Sequence, residues 1–266
     1  MQSLNVLVVS ENFSNSIESI KSSKFLNKLY VTFPIEKEGI SSVNFNTFQE
    51  LAQKCKSLQI DLVLVCERKW ILQGIGDVMK KNHINCIAPT SFWTNLELSN
   101  TFARNLLQKY SINIPEKINL PVEFPVIVKA DGITQKANSL QDVINIKQDI
   151  YNHSPEIAQT VYIENFLDGK KELVVSLFDG KNLAIFDNKN LPQDSVVEYS
   201  RKMKEMLIRE NADFIGFINS EVILYNDKLY NVGFNFSFSY PNIEKDLLFV
   251  LQLALYQKLN EFNQKS

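Results

Sequence analysis

Lys129, Asp131 and Gly132 directly follow an apolar run, Val126–Val128, in the stretch "KADGITQKANS". A cation at the end of a strand is one half of a nucleotide site. The other half is a glycine loop, because bare backbone N–H groups must approach the phosphate closely. Here the chain continues instead with Thr134, Gln135, Lys136, Ala137 and Asn138, and Ser139-Leu140-Gln141-Asp142 has the spacing of a helix cap. The stretch begins as a nucleotide site and ends as a helix start.

Other chemistry is sparse. His83 and His153 lie in polar surroundings, and with only two histidines no triad or zinc cluster is indicated. Cys55, Cys66 and Cys86 are odd in number and fit no C-x-x-C pattern, so neither a disulfide framework nor a zinc site is expected. Glycine, at 8 of 266 residues, is scarce for a protein that holds polyphosphates. Only Arg68, Arg104, Arg201 and Arg209 can supply a planar guanidinium fork for phosphate. The net charge of −2 gives no field towards nucleic acid or a membrane, and neither partner is expected. No stretch approaches the roughly 20 apolar residues of a membrane span, and the opening "MQSLNVLVVSEN" is too short for a signal peptide. The expected location is the cytoplasm.

The elements that must position Lys129 follow from periodicity. Leu4–Val9 and Ile60–Val65 are continuous apolar runs, suited to parallel strands buried on both faces. Lys28–Phe33 and Ile84–Ala88 read as further strands. Helices are expected over Ser14–Ser23, from the capping box Thr47-Phe48-Gln49-Glu50 to about Lys56, and over Trp70–Lys81. Trp70 and Trp93 read as core or inter-lobe packing. Pro89-Thr90 closes this α/β unit, and one long helix is expected over Ser91–Tyr110. The proline-rich "SINIPEKINLPVEFP" is a connector. Beyond it come the strand Val126–Lys129 and a helix from the Ser139 cap to about Tyr151. Three strands follow, Thr160–Glu164, Glu172–Phe178 and Leu183–Phe186, the last two joined by the turn "DGKN". A helix from Gln193 to Glu210, a hairpin Phe214–Leu224 and Lys228–Asn235 turned at "YND", and a helix from Glu244 to Phe262 complete the reading. The fold class is α/β plus α+β.

Several of these stretches share order and spelling with one family. "LNVLVVS", "LQIDLVLV", "CIAPTSFWTNLELSNTFARNLLQKYSINIP", "PVIVKADG", "VYIENFLDGKK" and "ADFIGF…YNVGFNFSFSYPN" are collinear with phosphoribosylamine–glycine ligase, which the chain resembles over nearly its whole length. K-A-D-G followed by E-x-F-L-D-G is the most specific part. The resemblance implies a Rossmann-like pre-ATP-grasp domain at 1–90 and a reduced ATP-grasp domain at 91–266. The second would carry a small lid lobe at about 121–187, and the family's C-terminal domain has no counterpart. It also implies ATP as cofactor. Lys129, Glu164 and the backbone around Phe166 and Leu167 would be nucleotide contacts, and Asn235 the remnant of a magnesium pair.

The departures fall on the chemistry. The family's phosphate loop, G-x-G-G-R-E-H, is replaced by Ser10-Glu11-Asn12-Phe13-Ser14-Asn15, where Glu11 would repel an anion. G-P-E-x-P-L becomes Cys66-Glu67-Arg68-Lys69-Trp70-Ile71, with Glu67 one position from the family glutamate. A family lysine is Asn100, although Arg104 keeps a cation nearby. The glycine lid loop and its following strand are reduced to about seven residues before the Ser139 cap, with Lys136 as the loop lysine in a shorter frame. The family's acidic pair becomes Lys170 and Lys171, and its long substrate loop shrinks to "DNKNLPQD". The metal glutamate is Gly233 and the phosphate arginine is Ser237. A hard cation needs carboxylate and phosphate oxygens, so magnesium is not expected and ATP binding is weak or lost.

At single residues bland readings stand beside functional ones. Lys129 fits a nucleotide contact or a strand-end lysine reaching solvent. Asp131-Gly132 fits a turn better than a ligand set. Glu164 fits a nucleotide contact or an ion pair with Lys170 or Lys171, and Asn235 fits a local cap better than a metal site. No catalytic residue is assigned. The expected function is that of a degenerate, non-ligating relative that acts by binding or regulation, with a protein partner. The alternatives are an ATP-dependent phosphoribosylamine–glycine ligase, or another carboxylate–amine ligase, with a rebuilt site, and a nucleotide-binding module without turnover.

Overall fold

The structure is a computed structural model that describes residues 2–119, 123–186, 190–238 and 245–263. Its first sheet is parallel and is built from β1 (Leu4–Val9), β2 (Leu26–Val31), β3 (Ile40–Ser42), β4 (Leu62–Val65) and β5 (Cys86–Ile87) in the order β3-β2-β1-β4-β5. The continuous apolar runs have the expected cause, since each face of this sheet lies in a separate core. Leu7, Val9, Val63 and Val65 point into one core, and Val6, Val8, Leu62 and Leu64 into the other. Side chains alternate across a strand, so two buried faces leave no room for polar positions. The intervening helices are α1 (Asn15–Lys21), α2 (Phe48–Ser57), α3 (Arg68–Leu72) and α4 (Ile75–Lys81). Thr47 caps α2 by accepting from the Glu50 N–H at 3.1 Å. The Glu50 carboxylate accepts from the Asn46 N–H, one residue before the position that the capping box leads one to expect.

Three expected long helices are each broken, the last of them, Glu244–Phe262, around Gln257, which adopts φ +56°. Gly74, in the left-handed region at φ +86°, divides Trp70–Lys81 into α3 and α4. Ser99 divides Ser91–Tyr110 into α5 (Ser91–Leu98) and α6 (Asn100–Lys109), because its hydroxyl accepts from the Phe102 N–H and starts a second helix.

The second sheet contains β6 (Lys117–Ile118), β7 (Val126–Ala130), β8 (Ile133–Ala137) and β9 (Tyr162–Asn165), in the order β6-β9-β7-β8, with α7 (Leu140–His153) packed on one face. Here a correction is needed. "ITQKA" is a strand, paired with β7 through the Asp131-Gly132 turn, so these residues form a hairpin strand and are not merely the run-up to the Ser139 cap. Ser139 caps α7 as expected. The third sheet joins β10 (Lys171–Phe178) and β11 (Leu183–Phe186) across the DGKN turn. After α8 (Gln193–Arg209) come β12 (Gly216–Tyr225) and β13 (Lys228–Asn235), giving the order β11-β10-β12-β13. Asn226 and Asp227 both adopt positive φ at the hairpin turn. The last helices are α9 (Leu247–Leu255) and α10 (Asn260–Asn263). Glu244, the expected helix start, lies outside the described residues. So do Pro121 and Asp187 at the expected lid-lobe limits, and Ser239 and Tyr240.

The parallel sheet and the third sheet share a core. Phe178, Phe214 and Trp93 form a ring chain with centroid spacings of 5.5 and 5.9 Å. Pro89 lies between two glycines. A Cβ on Gly76 would sit 2.3 Å from the Pro89 carbonyl oxygen, and one on Gly216 would sit 3.1 Å from the Pro89 nitrogen. Gly76→Ala is therefore expected to cost about 1–3 kcal/mol by overpacking, read as a lowered midpoint in thermal denaturation. An unchanged midpoint would show that the Pro89 segment yields freely.

Candidate functional site

Strand alternation places Lys129. Val126, Val128 and Ala130 face α7, so Ile127 and Lys129 point the other way, into a cleft. On the neighbouring strand Ile163 faces α7, which sends Tyr162 and Glu164 into the same cleft. The antiparallel register pairs Lys129 with Tyr162 and Ile127 with Glu164, so Glu164 lies diagonal to Lys129. The two meet, with Lys129 Nζ 2.9 Å from Glu164 Oε1. Arg104, from α6, brings Nη1 to 3.3 Å from the other carboxylate oxygen. Side-chain exposures of 6%, 3% and 10% for Lys129, Glu164 and Arg104 make this a buried charged triad. Burial pushes the Glu164 carboxyl up, while Lys129 and then Arg104 pull against it. Lys129 also donates to the Val232 carbonyl at 2.9 Å, bridging the second sheet to β13. Neither bland reading describes the pair. Lys129 is 5% exposed rather than solvent-reaching. Glu164 pairs with neither Lys170 nor Lys171, whose partners are Glu172 and Glu221.

The cleft has a volume of about 560 Å³, in the range of small-molecule pockets. Its lining includes the apolar Ala103, Leu107, Ile127, Leu167 and Phe234, with Phe166 at the segment after β9. Lys136, from β8, places its ammonium 4.2 Å from the Phe166 ring centroid. Asn100 binds the β7–β8 hairpin, donating to the Ala130 carbonyl at 2.6 Å and the Ile133 carbonyl at 3.1 Å. Asp131 completes the attachment by accepting from Ser99 Oγ and the Thr101 N–H. As a turn residue it also serves as an anchor for α6.

Asn235 caps locally: its side-chain oxygen accepts from the Ser237 N–H at 2.7 Å. Glu97, ion-paired with Arg68, accepts from the Phe236 N–H at 2.7 Å and fixes the same turn. The sequence reading misses Glu221. This carboxylate lies opposite Gly233 in the β12–β13 register, 3.1 Å from where a Cβ on Gly233 would stand, and pairs with Lys171 at 2.9 Å. A lone acidic residue in the apolar strand "GFINSEVILY" is the signal that marks it. Among the described residues, no three His, Cys, Asp or Glu side chains gather closely enough to hold a metal ion.

The loop after β1 lies apart from this cleft. Glu67 accepts from the Glu11 N–H at 3.0 Å and from Ser10 Oγ at 3.3 Å, so an internal carboxylate already holds a backbone donor there. Glu11 is ion-paired with Lys69. The thiols are poor nucleophiles, because burial pushes Cys55 up to about 11 and Cys66 up to about 12.

For ATP, the residues fit in part. The apolar lining and the strand-end backbone at Phe166 and Leu167 suit a planar base. The deep cations do not suit a triphosphate, since both already engage Glu164, whose carboxylate would itself repel the phosphate oxygens. Gly233, Ser237 and a locally bonded Asn235 do not suit a metal.

No protein-family profile matches the chain. Phosphoribosylamine–glycine ligase of Fusobacterium nucleatum is 22% identical over 84% of this chain and 65% of that enzyme, and the Clostridium acetobutylicum enzyme is 20% identical over 84% and 66%. The chain thus spans about 65% of the length of these two curated relatives. Among solved structures, phosphoribosylamine–glycine ligase from Thermotoga maritima superposes with a TM-score of 0.69 at 14% identity, covering 99% of this chain and 76% of that one. D-alanine–D-alanine ligase from Bacillus anthracis, complexed with ATP, gives a TM-score of 0.62 at 12% identity over the whole of both chains. Among the described residues, no helix is long and apolar enough to cross a membrane. The chain has an ATP-grasp fold and is similar in sequence to the phosphoribosylamine–glycine ligases.

Proposed function

We propose that this chain is a non-ligating ATP-grasp relative, whose cleft binds a nucleotide-like molecule and acts through that occupancy on a protein partner. One observation carries the reading. On the wall where phosphoryl transfer needs a hard-cation site, the described carboxylate is Glu221, and it is tied to Lys171 opposite a glycine. Charge neutralisation of the transferring phosphoryl group is most of what a protein contributes to that chemistry. Among the described residues of the cleft, each carboxylate and both guanidinium groups, Arg68 and Arg104, are already ion-paired, which leaves none free for that role.

The reading is tested by ADP release in the presence of ATP, Mg²⁺, glycine and phosphoribosylamine. The expected result is no release above the protein-free rate, and turnover of even a few per minute would overturn it. The alternative, a ligase with a rebuilt site, draws on Glu221, which could take the place of the missing carboxylate if Lys171 swung away. A Glu221→Gln variant separates the two, because it would abolish turnover in a rebuilt ligase and change nothing in a non-ligating protein.

A further inference from the structure

The charges of the cleft are nearly all committed to one another. Its described lining carries five basic side chains, Arg68, Arg104, Lys129, Lys136 and Lys171, and three acidic ones, Glu97, Glu164 and Glu221. Glu97 pairs with Arg68, Glu164 with Lys129 and Arg104, and Glu221 with Lys171. Lys136 is the basic group that has no carboxylate partner among the described residues. Its ammonium rests instead on the Phe166 ring, a hold that an anion can replace without breaking an ion pair.

Two consequences follow for a ligand. An anion entering the deep end would meet the Glu164 carboxylate, between two buried cations that it already engages and whose charge it offsets by half. An anion at the Lys136 end would meet a free ammonium on a flexible stem. The formal excess on the lining is two positive charges, whereas a phosphate monoester carries about −1.5 to −2 at pH 7. A triphosphate exceeds that excess and relies on divalent metal to offset its charge.

We infer that the cleft selects a nucleoside monophosphate, bound without a divalent cation, and that Lys136 is the specificity-determining contact for its phosphate. This rests on the reading of the cleft as a nucleotide-binding, non-ligating site. The base occupies the apolar lining by Leu107, Ile127, Leu167 and Phe234, and the phosphate lies towards β8.

Isothermal titration of the full chain with AMP, adenosine, ATP and ATP with Mg²⁺ tests the inference. AMP is expected to bind about tenfold or more tightly than adenosine or ATP, as a charge-assisted contact would give, with no change on adding EDTA. Lys136→Glu is expected to remove the advantage of AMP over adenosine and to leave adenosine binding unchanged. Lys136→Gln keeps the strand polar without the charge and serves if the reversal disturbs folding. Equal binding of AMP and adenosine, stronger binding of ATP with Mg²⁺, no response to either variant, or no binding of any nucleotide would each overturn the inference. Failure of the functional reading shows separately, as ADP release in the ligation assay.

Discussion

Glu164→Ala is expected to cost about 3–5 kcal/mol of stability, because it leaves two buried cations without their shared counter-ion. Lys129 and Arg104 both meet this carboxylate, and neither side chain is more than 10% exposed. Lys129 would keep the Val232 carbonyl as a partner, but a neutral acceptor does not offset the desolvation of an ammonium. Denaturant titration followed by circular dichroism measures the loss, with the slope checked for constancy. Glu164→Gln should fall between the two, since the amide oxygen still accepts a hydrogen bond while the charge is gone. The pair Lys129→Met and Glu164→Gln, made together, should recover part of the loss, because removing both partners costs less than orphaning one. A loss below about 1 kcal/mol for Glu164→Ala would mean that the two cations reach solvent, contrary to their burial.

Phe178→Ala is expected to cost a comparable amount, about 3–5 kcal/mol, for a different reason. Its ring is fully buried at the end of β10 and touches Phe214, which in turn touches Trp93 at the start of α5. A cavity there empties the core shared by the parallel sheet and the third sheet. Tryptophan fluorescence and circular dichroism should therefore shift together to a lower midpoint in a single transition. Two separated transitions, with the tryptophan signal unmoved, would show that the halves are held together elsewhere.

Much of this architecture is legible in local pattern, and the exceptions share a physical cause. β1 and β11 match their expected limits because apolar runs bounded by turn residues leave little freedom. β3 and β6 give no such signal, since they are three and two residues long and bury almost nothing. The breaks at Gly74 and Ser99 lie within continuous helical periodicity, and each depends on one residue's conformation or hydroxyl. β8 reads as the run-up to a helix cap because Thr134, Gln135 and Lys136 are all exposed, and only Ala137 is fully buried. At the site, residue type marks Lys129 and Glu164 but not their pairing. That choice depends on the β7–β9 register and on Arg104, which comes from a helix 60 residues earlier. Glu221 escapes notice because its importance appears only once β13 places a glycine opposite it.

Among the described residues, β8 is also the outermost strand of its sheet, with no neighbouring strand on its outward side. Such an edge is a template for pairing with another chain, and a lysine near its middle is a common safeguard against that. Lys136 thus stands on an edge strand as well as facing the cleft. Its replacement by an aliphatic residue is expected to favour sheet-joined oligomers as concentration rises, read by size-exclusion chromatography.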